Sequence, residues 1–123
     1  MRKHLENVSI LVVEDEPIIA LDLQSLLEAS GATPVALEHA IEGARQRLSG
    51  PALPDVVILD LVLGGTSSLP LAEELRQRKV PFLFLTGDAV GIPSDFSDVQ
   101  AVEKPFTADQ LIAMVGRVAN NHK

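Results

Sequence analysis

The sequence predicts an α/β domain in which parallel strands are covered by helices. Three observations predict it. Five short apolar segments alternate with stretches of helical length and periodicity. Hydrophobic residues make up 46% of the chain and aromatics only 3%, so the core is built from Val, Leu, Ile and Ala, which suits strands buried on both faces. The apolar segments also end abruptly in polar residues. Residues 10–13 run into Glu14 and Asp15, 56–59 into Asp60, 82–85 into Thr86, and 99–102 into Glu103 and Lys104.

The elements follow in order. Residues 8–13 form the first strand. Pro17 suits the first turn of a helix, with Asp15 or Glu16 near its N-terminus where negative charge is favoured. Ile19, Leu23, Leu26 and Leu27 supply its apolar stripe and Gly31 its stop. The second strand covers 33–37 and the second helix 41–48. Ser49, Gly50, Pro51 and Pro54 break the chain before the third strand, 56–59. After Asp60, residues 64–68 (Gly-Gly-Thr-Ser-Ser) read as a loop, followed by a third helix over 69–78 and a fourth strand opened by Pro81. A short fifth strand leaves residues 87–98, with Gly87, Gly91 and Pro93, for a loop with one turn of helix in place of a full fourth helix. Thr107 caps a last helix whose Leu111, Ile112, Val115 and Val118 face inward.

At 123 residues the chain fits one domain, 1–123, with no room for an output domain. It contains no cysteine, which excludes disulfides and thiolate metal sites. No apolar run approaches the ~18–20 residues needed to span a bilayer, and the N-terminus lacks the apolar segment of a signal peptide, so a cytoplasmic protein without membrane insertion is expected. A formal net charge of −7 argues against nucleic acid as a partner, because that affinity comes from Lys and Arg neutralising phosphates.

Strands separated by helices run parallel with right-handed crossovers, so their C-terminal ends share one edge of the sheet, where open α/β sheets bind ligands. Glu14, Asp15, Asp60, Thr86 and Lys104 all follow strand ends. Two carboxylates ~4 Å apart repel by about 4 kcal/mol at an effective dielectric near 20, so three in one crevice call for a cation. Mg²⁺ suits them, since it prefers hard oxygen ligands and often bridges carboxylates to a phosphoryl group. A carboxylate so placed can attack phosphorus and form an aspartyl phosphate. Lys104 can pair with one phosphoryl oxygen and Thr86 can donate a hydrogen bond to another.

With those residues in place, the chain resembles the receiver domain of two-component response regulators. The matching segments, in family order and covering nearly the whole chain, are Leu11-Val12-Val13-Glu14-Asp15-Glu16, Val57-Ile58-Leu59-Asp60, Phe84-Leu85-Thr86-Gly87 and Glu103-Lys104-Pro105-Phe106. The resemblance implies a doubly wound, flavodoxin-like sheet of five parallel strands in the order 2-1-3-4-5. It also implies that Asp60 is the phosphoacceptor, charged by a sensor histidine kinase or a histidine phosphotransfer protein. Asp15 and Asp60 would hold Mg²⁺ directly, Glu14 through water, and the backbone carbonyl of Val62 would be the third protein ligand. Thr86 and Lys104 match the two residues that sense the phosphoryl group, and a cis peptide is expected before Pro105. Such a protein signals by phosphorylation-dependent binding to a downstream protein, as shuttle, sink or regulator, and works as a monomer or weak dimer. Its Mg²⁺-dependent phosphoryl uptake and loss are intrinsic, but it is a signalling protein rather than an enzyme.

The chain departs from the family pattern at two places. Receivers commonly carry an aromatic three residues before the lysine, where this chain has Ala101, and a glycine where it has Ser68. With the short interval from Thr86 to Lys104, this resembles a stand-alone alphaproteobacterial subgroup with a Phe-x-x-Thr-Gly type signature, carried here by Phe82, Phe84, Thr86 and Gly87. Any switching then runs through Thr86 and a mobile 87–98 loop.

Other readings are weaker. A pseudo-receiver, a binding module with a relic site, draws some support from Ala101 and Ser68. A hydrolase of the haloacid dehalogenase type usually needs a second acid two residues after its nucleophile, where this chain has Val62. No Gly-x-Gly-x-x-Gly follows the first strand, which disfavours dinucleotide binding. Glu16 reads as a helix-capping or solvated residue, and Asp55, Asp88 and Asp95 as turn residues. His4, His39 and His122 lack metal-ligand spacing and are expected to be exposed. The four phenylalanines read most simply as core or interface packing, with a partner contact on the loop as the alternative for Phe96.

Overall fold

The computed structural model describes residues 4–87 and 91–120. In chain order the elements are β1 (Ile10–Val13), α1 (Pro17–Ala29), β2 (Val35–Glu38), α2 (Ile41–Leu48), β3 (Val56–Asp60), β4 (Val62–Leu63), β5 (Thr66–Ser67), α3 (Leu69–Gln77), β6 (Phe82–Thr86), β7 (Ala101–Glu103) and α4 (Ala108–Asn120). One parallel sheet holds β2-β1-β3-β6-β7, which is the expected 2-1-3-4-5 order once the two hairpin strands β4 and β5 are set aside. No helix among the described residues is long and apolar enough to cross a membrane.

Side chains alternate across a strand, and here the alternation builds two cores. Ile10, Val12, Val56, Ile58, Leu83, Leu85 and Val102 meet Leu23 and Leu27 of α1 and Leu111, Val115 and Val118 of α4. On the other face, Leu11, Val13, Val57, Leu59, Phe82 and Phe84 meet Ala44 and Leu48 of α2 and Leu71, Ala72 and Leu75 of α3. Central strands buried on both sides explain why they read as continuous apolar runs.

Local chemistry sets the helix ends. Pro17 occupies the first turn of α1, where its missing amide costs nothing, and Glu16 is the exposed, extended N-cap. At α4, the Thr107 hydroxyl accepts from the Gln110 amide at 3.1 Å while the Gln110 side chain accepts from the Thr107 amide at 2.9 Å. This reciprocal capping satisfies two otherwise orphaned donors. Asp55 is a turn residue as expected, its carboxylate accepting from the Ser9 amide at 2.9 Å.

The structure corrects several expectations. The loop assigned to residues 64–68 is partly a hairpin, with β4 and β5 antiparallel. Gly64 and Gly65 have φ of 55° and 83°. A two-residue hairpin turn of this hand needs positive φ at both central positions, so Gly-Gly between two short polar-apolar pairs was the available signal. Thr33–Pro34 is cis, which local sequence did not announce, and Lys104–Pro105 is cis as the family resemblance implied. The second strand starts two residues later than expected, at Val35, after that proline.

In place of a fourth long helix there is a 3-10 turn at Ser94–Phe96. Phe96 is a packing residue, the simpler of its two readings, and is buried. Its ring stands edge-on to Phe84, centroids 5.7 Å apart, and Phe84 is in turn edge-on to Phe82. Arg76 of α3 lies 4.5 Å from the Phe96 ring centroid, and its guanidinium donates to the Asp95 carbonyl at 2.9 Å and to the Asp98 carboxylate at 3.1 Å. One arginine thus ties α3 to the turn through a cation–π contact and two hydrogen bonds. Asp88 and His122 lie outside the described residues.

Phe96→Ala removes this plug from the α2/α3 core. It is expected to destabilise the domain by about 3 kcal/mol, read as a lower urea midpoint with an unchanged m-value.

Candidate functional site

The chain leaves β1 for β2 on one side and returns to β3 on the other, so the sheet order reverses between β1 and β3. Crevices form at such a switch point, outside the carboxyl ends of the strands. Val13 pairs with Leu59 and Asp60 with Leu85, so the rung after Val13 brings Glu14 beside Asp60. Alternation decides which way each side chain leans. Glu14 continues the parity of Ile10 and Val12, Asp60 that of Val56 and Ile58, and Lys104 that of Val102, all on the α1/α4 face. Thr86 continues the parity of Phe82 and Phe84, on the opposite face.

Glu14, Asp15 and Asp60 each offer a carboxylate oxygen within 4.8 Å of the others. The Lys104 ammonium donates to Asp60 Oδ2 at 3.2 Å and to Glu14 Oε1 at 3.4 Å. Thr86, 4% exposed, closes the same end of the sheet, its carbonyl accepting from the Lys104 amide at 2.8 Å. Four of the expected side chains therefore meet, and the fifth sits one residue beyond the strand partner of Asp60.

The electrostatics are those of a crowded acid site. Glu14 is 1% exposed. Burial pushes its carboxyl above the usual range and the Asp60 charge pushes the same way, against the Glu16 amide and Lys104, which favour the ionised form. For Lys104, burial works against the charge, but the Asp60 and Glu14 carboxylates outweigh it and hold the ammonium above its ordinary value. All donors are hard oxygens, and the Lys104 ammonium pairs with two of the three carboxylates. This set fits a Mg²⁺ ion, which takes oxygen ligands and relieves such repulsion.

Loops fix the acids in place. The Glu16 amide donates to Glu14 Oε2 at 3.1 Å, and the Gly64 amide at the hairpin tip donates to Asp15 Oδ2 at 3.0 Å. Val62 lies on β4, two residues past Asp60. Ser68, fully buried, returns its hydroxyl to the Leu61 carbonyl at 2.9 Å and its amide to the same oxygen at 3.0 Å. The serine that replaces glycine thus closes the segment that carries the hairpin. Neither this closure nor the Gly64 contact was foreseen from sequence, because both depend on residues brought together by the turn. His39 is exposed as expected, yet its ring is engaged with the Glu14 carbonyl at 3.0 Å.

Comparison with known proteins agrees with this geometry. Residues 10–116 match the response regulator receiver domain. The phosphate regulon transcriptional regulatory protein PhoB of Rhizobium meliloti is 35% identical over 116 residues, 86% of this chain and 49% of PhoB. The phyllosphere-induced regulator PhyR of Methylorubrum extorquens is 33% identical over 79 residues, 63% of this chain and 30% of PhyR. The solution structure of SdrG from Sphingomonas melonis Fr1 superposes with a TM-score of 0.78 at 38% identity, covering 91% of this chain and 96% of SdrG. The chain spans about half the length of curated relatives such as PhoB. Its parallel sheet, the acid cluster at the switch point and these matches lead to one placement: the chain belongs to the response regulator receiver domain family.

Proposed function

We propose that Asp60 accepts a phosphoryl group from a phosphohistidine on a histidine kinase or phosphotransfer protein, and that the protein signals by phosphorylation-dependent binding to another protein. The observation that carries this reading is the Lys104 ammonium held between Asp60 and Glu14 inside the cluster of three carboxylates. An acid with an ammonium and further carboxylates beside it, at the open edge of a sheet, is equipped to take up a phosphoryl group.

In the transfer, an Asp60 carboxylate oxygen forms the new bond to phosphorus while the bond from phosphorus to the donor imidazole nitrogen breaks, its electron pair staying on nitrogen. Asp15, Asp60 and the Val62 carbonyl are the proposed Mg²⁺ ligands, with Glu14 acting through water. When bound, Mg²⁺ supplies positive charge to the phosphoryl oxygens and to the acids that crowd them. Lys104 exchanges its contact with the Asp60 carboxylate for a phosphoryl oxygen. The Thr86 hydroxyl donates to another phosphoryl oxygen. Such a change biases an existing equilibrium between two arrangements rather than creating a new one.

The relic-site reading leaned on Ala101 and Ser68, and both have a local structural account. Ala101 packs against the cluster that contains Phe96, whose ring comes from the loop instead of the strand. Ser68 closes the hairpin segment. Every side chain the chemistry needs is retained.

Asp60→Asn is expected to reduce Mg²⁺-dependent labelling by acetyl phosphate to background while the fold persists; labelling equal to wild type would refute the assigned nucleophile. A second expectation concerns pH. Because the folded protein favours protonated Glu14, the contribution of this group to stability is greatest below the ordinary carboxylate range and is lost as pH rises through its elevated folded value. In chelator at pH 7, Glu14→Gln is therefore expected to stabilise the protein, seen as a higher unfolding midpoint than wild type. The advantage should fade as pH falls toward about 4.3, and the same variant should bind Mg²⁺ less tightly. Thermal unfolding across pH, with and without Mg²⁺, checks both statements.

A further inference from the structure

We propose that His39 is a positioning residue for the acid pair, holding the Glu14–Asp15 peptide in the orientation that lets Asp15 join Glu14 and Asp60. The inference deepens the reading given above and rests on it.

The β1–β2 ladder ends with Val13 opposite Glu38. One more backbone bond follows, from the Glu14 amide to the Glu38 carbonyl at 3.0 Å. The Glu14 carbonyl comes next, beyond the last paired residues, and the His39 ring meets it with Nδ1 at 3.0 Å. A carbonyl oxygen only accepts, so Nδ1 carries the proton and donates. The last residue of β2 and the residue after it therefore grip Glu14 on both sides of its Cα, through the Glu38 carbonyl before it and the His39 imidazole after it.

That grip matters for Asp15. The Glu14 carbonyl and the Asp15 amide belong to one rigid peptide plane, and rotating the plane redirects Asp15. The other restraints on the pair act elsewhere, from the Glu16 amide to the Glu14 carboxylate and from the Gly64 amide to the Asp15 carboxylate. His39 restrains the backbone between them. The ring is exposed and belongs to neither core, so the hydrogen bond accounts for its placement where packing does not. Groups that orient metal-binding side chains from outside typically change metal affinity by about 10–100-fold when removed.

The test uses the full chain, with Mg²⁺ alone as the probe and backbone amide NMR shifts as the readout, since the sequence has no tryptophan. His39→Ala is expected to weaken Mg²⁺ binding by about 10-fold with an unfolding midpoint close to wild type, and to speed hydrogen exchange of the Asp15 and Glu16 amides in metal-free protein. His39→Asn, whose amide can donate from nearly the position of Nδ1, is expected to recover most of the affinity. An alanine variant that binds Mg²⁺ as wild type does overturns the inference and leaves the proposed function standing. Equal weakening in both variants also overturns it, because donation would not be what the ring supplies. Wild-type protein that shows no Mg²⁺-dependent shifts overturns the functional reading and this inference together.

Discussion

Crowding carboxylates at the carboxyl ends of β1 and β3 is the constraint around which this domain is organised. Glu14 and Asp60 are adjacent across the sheet because the register of β1 on β3 makes them so, and Asp15 joins them from the loop. The register is itself fixed by two apolar faces, since a slip of one residue would exchange one core for the other. The fold therefore cannot relieve the repulsion by sliding. Lys104 offsets part of it, while burial, with the Asp60 charge added to it, leaves Glu14 with a raised proton affinity. A site held in an electrostatically costly arrangement favours a cation, the usual compromise between stability and function.

Holding that arrangement falls to backbone groups and short polar contacts rather than to the hydrophobic core. The Gly64 amide reaches Asp15 only because two glycines permit a tight hairpin turn, and Ser68 closes the segment behind it. His39 continues the grip of β2 one step past the end of the strand. Each of these contacts lies outside regular strand pairing, at the edge where the sheet gives way to loops. Scaffold and site thus divide the work: strands set which residues are neighbours, and loops set how their oxygens are aimed.

The far side of the site is built differently from a domain with a full helix after β6. Here α3 reaches across through Arg76, and Phe96 inserts beside Phe84, near the small Ala101 that pairs with Phe84. An aromatic supplied by the connecting segment fills volume next to the strand. The chain between Thr86 and β7 is thereby anchored at its far end by buried ring contacts and an arginine that bonds Asp95 and Asp98. This arrangement gives the family fold with one long helix fewer on that side.

Much of this was legible in the sequence, for reasons that differ from element to element. Continuous apolar runs ended by acids marked β1 and β3, because buried parallel strands need apolar side chains on both faces. Pro17 and Thr107 marked helix starts through local backbone chemistry. The β4–β5 hairpin was missed although Gly64-Gly65 announced it, since two-residue strands carry almost no periodicity. Phe96 read most simply as a packing residue, but its partners were not legible because Arg76 and Phe84 belong to other segments of the chain. What the sequence by itself determined was the order of elements and which polar residues end the strands at the candidate site, both written in local patterns of residue type. Tertiary structure alone decided that Lys104 sits between Asp60 and Glu14, that Gly64 and His39 hold the acid pair, and that Phe96 is a core residue. Those outcomes depend on distances between segments remote along the chain, which strand register and loop closure set and composition does not encode.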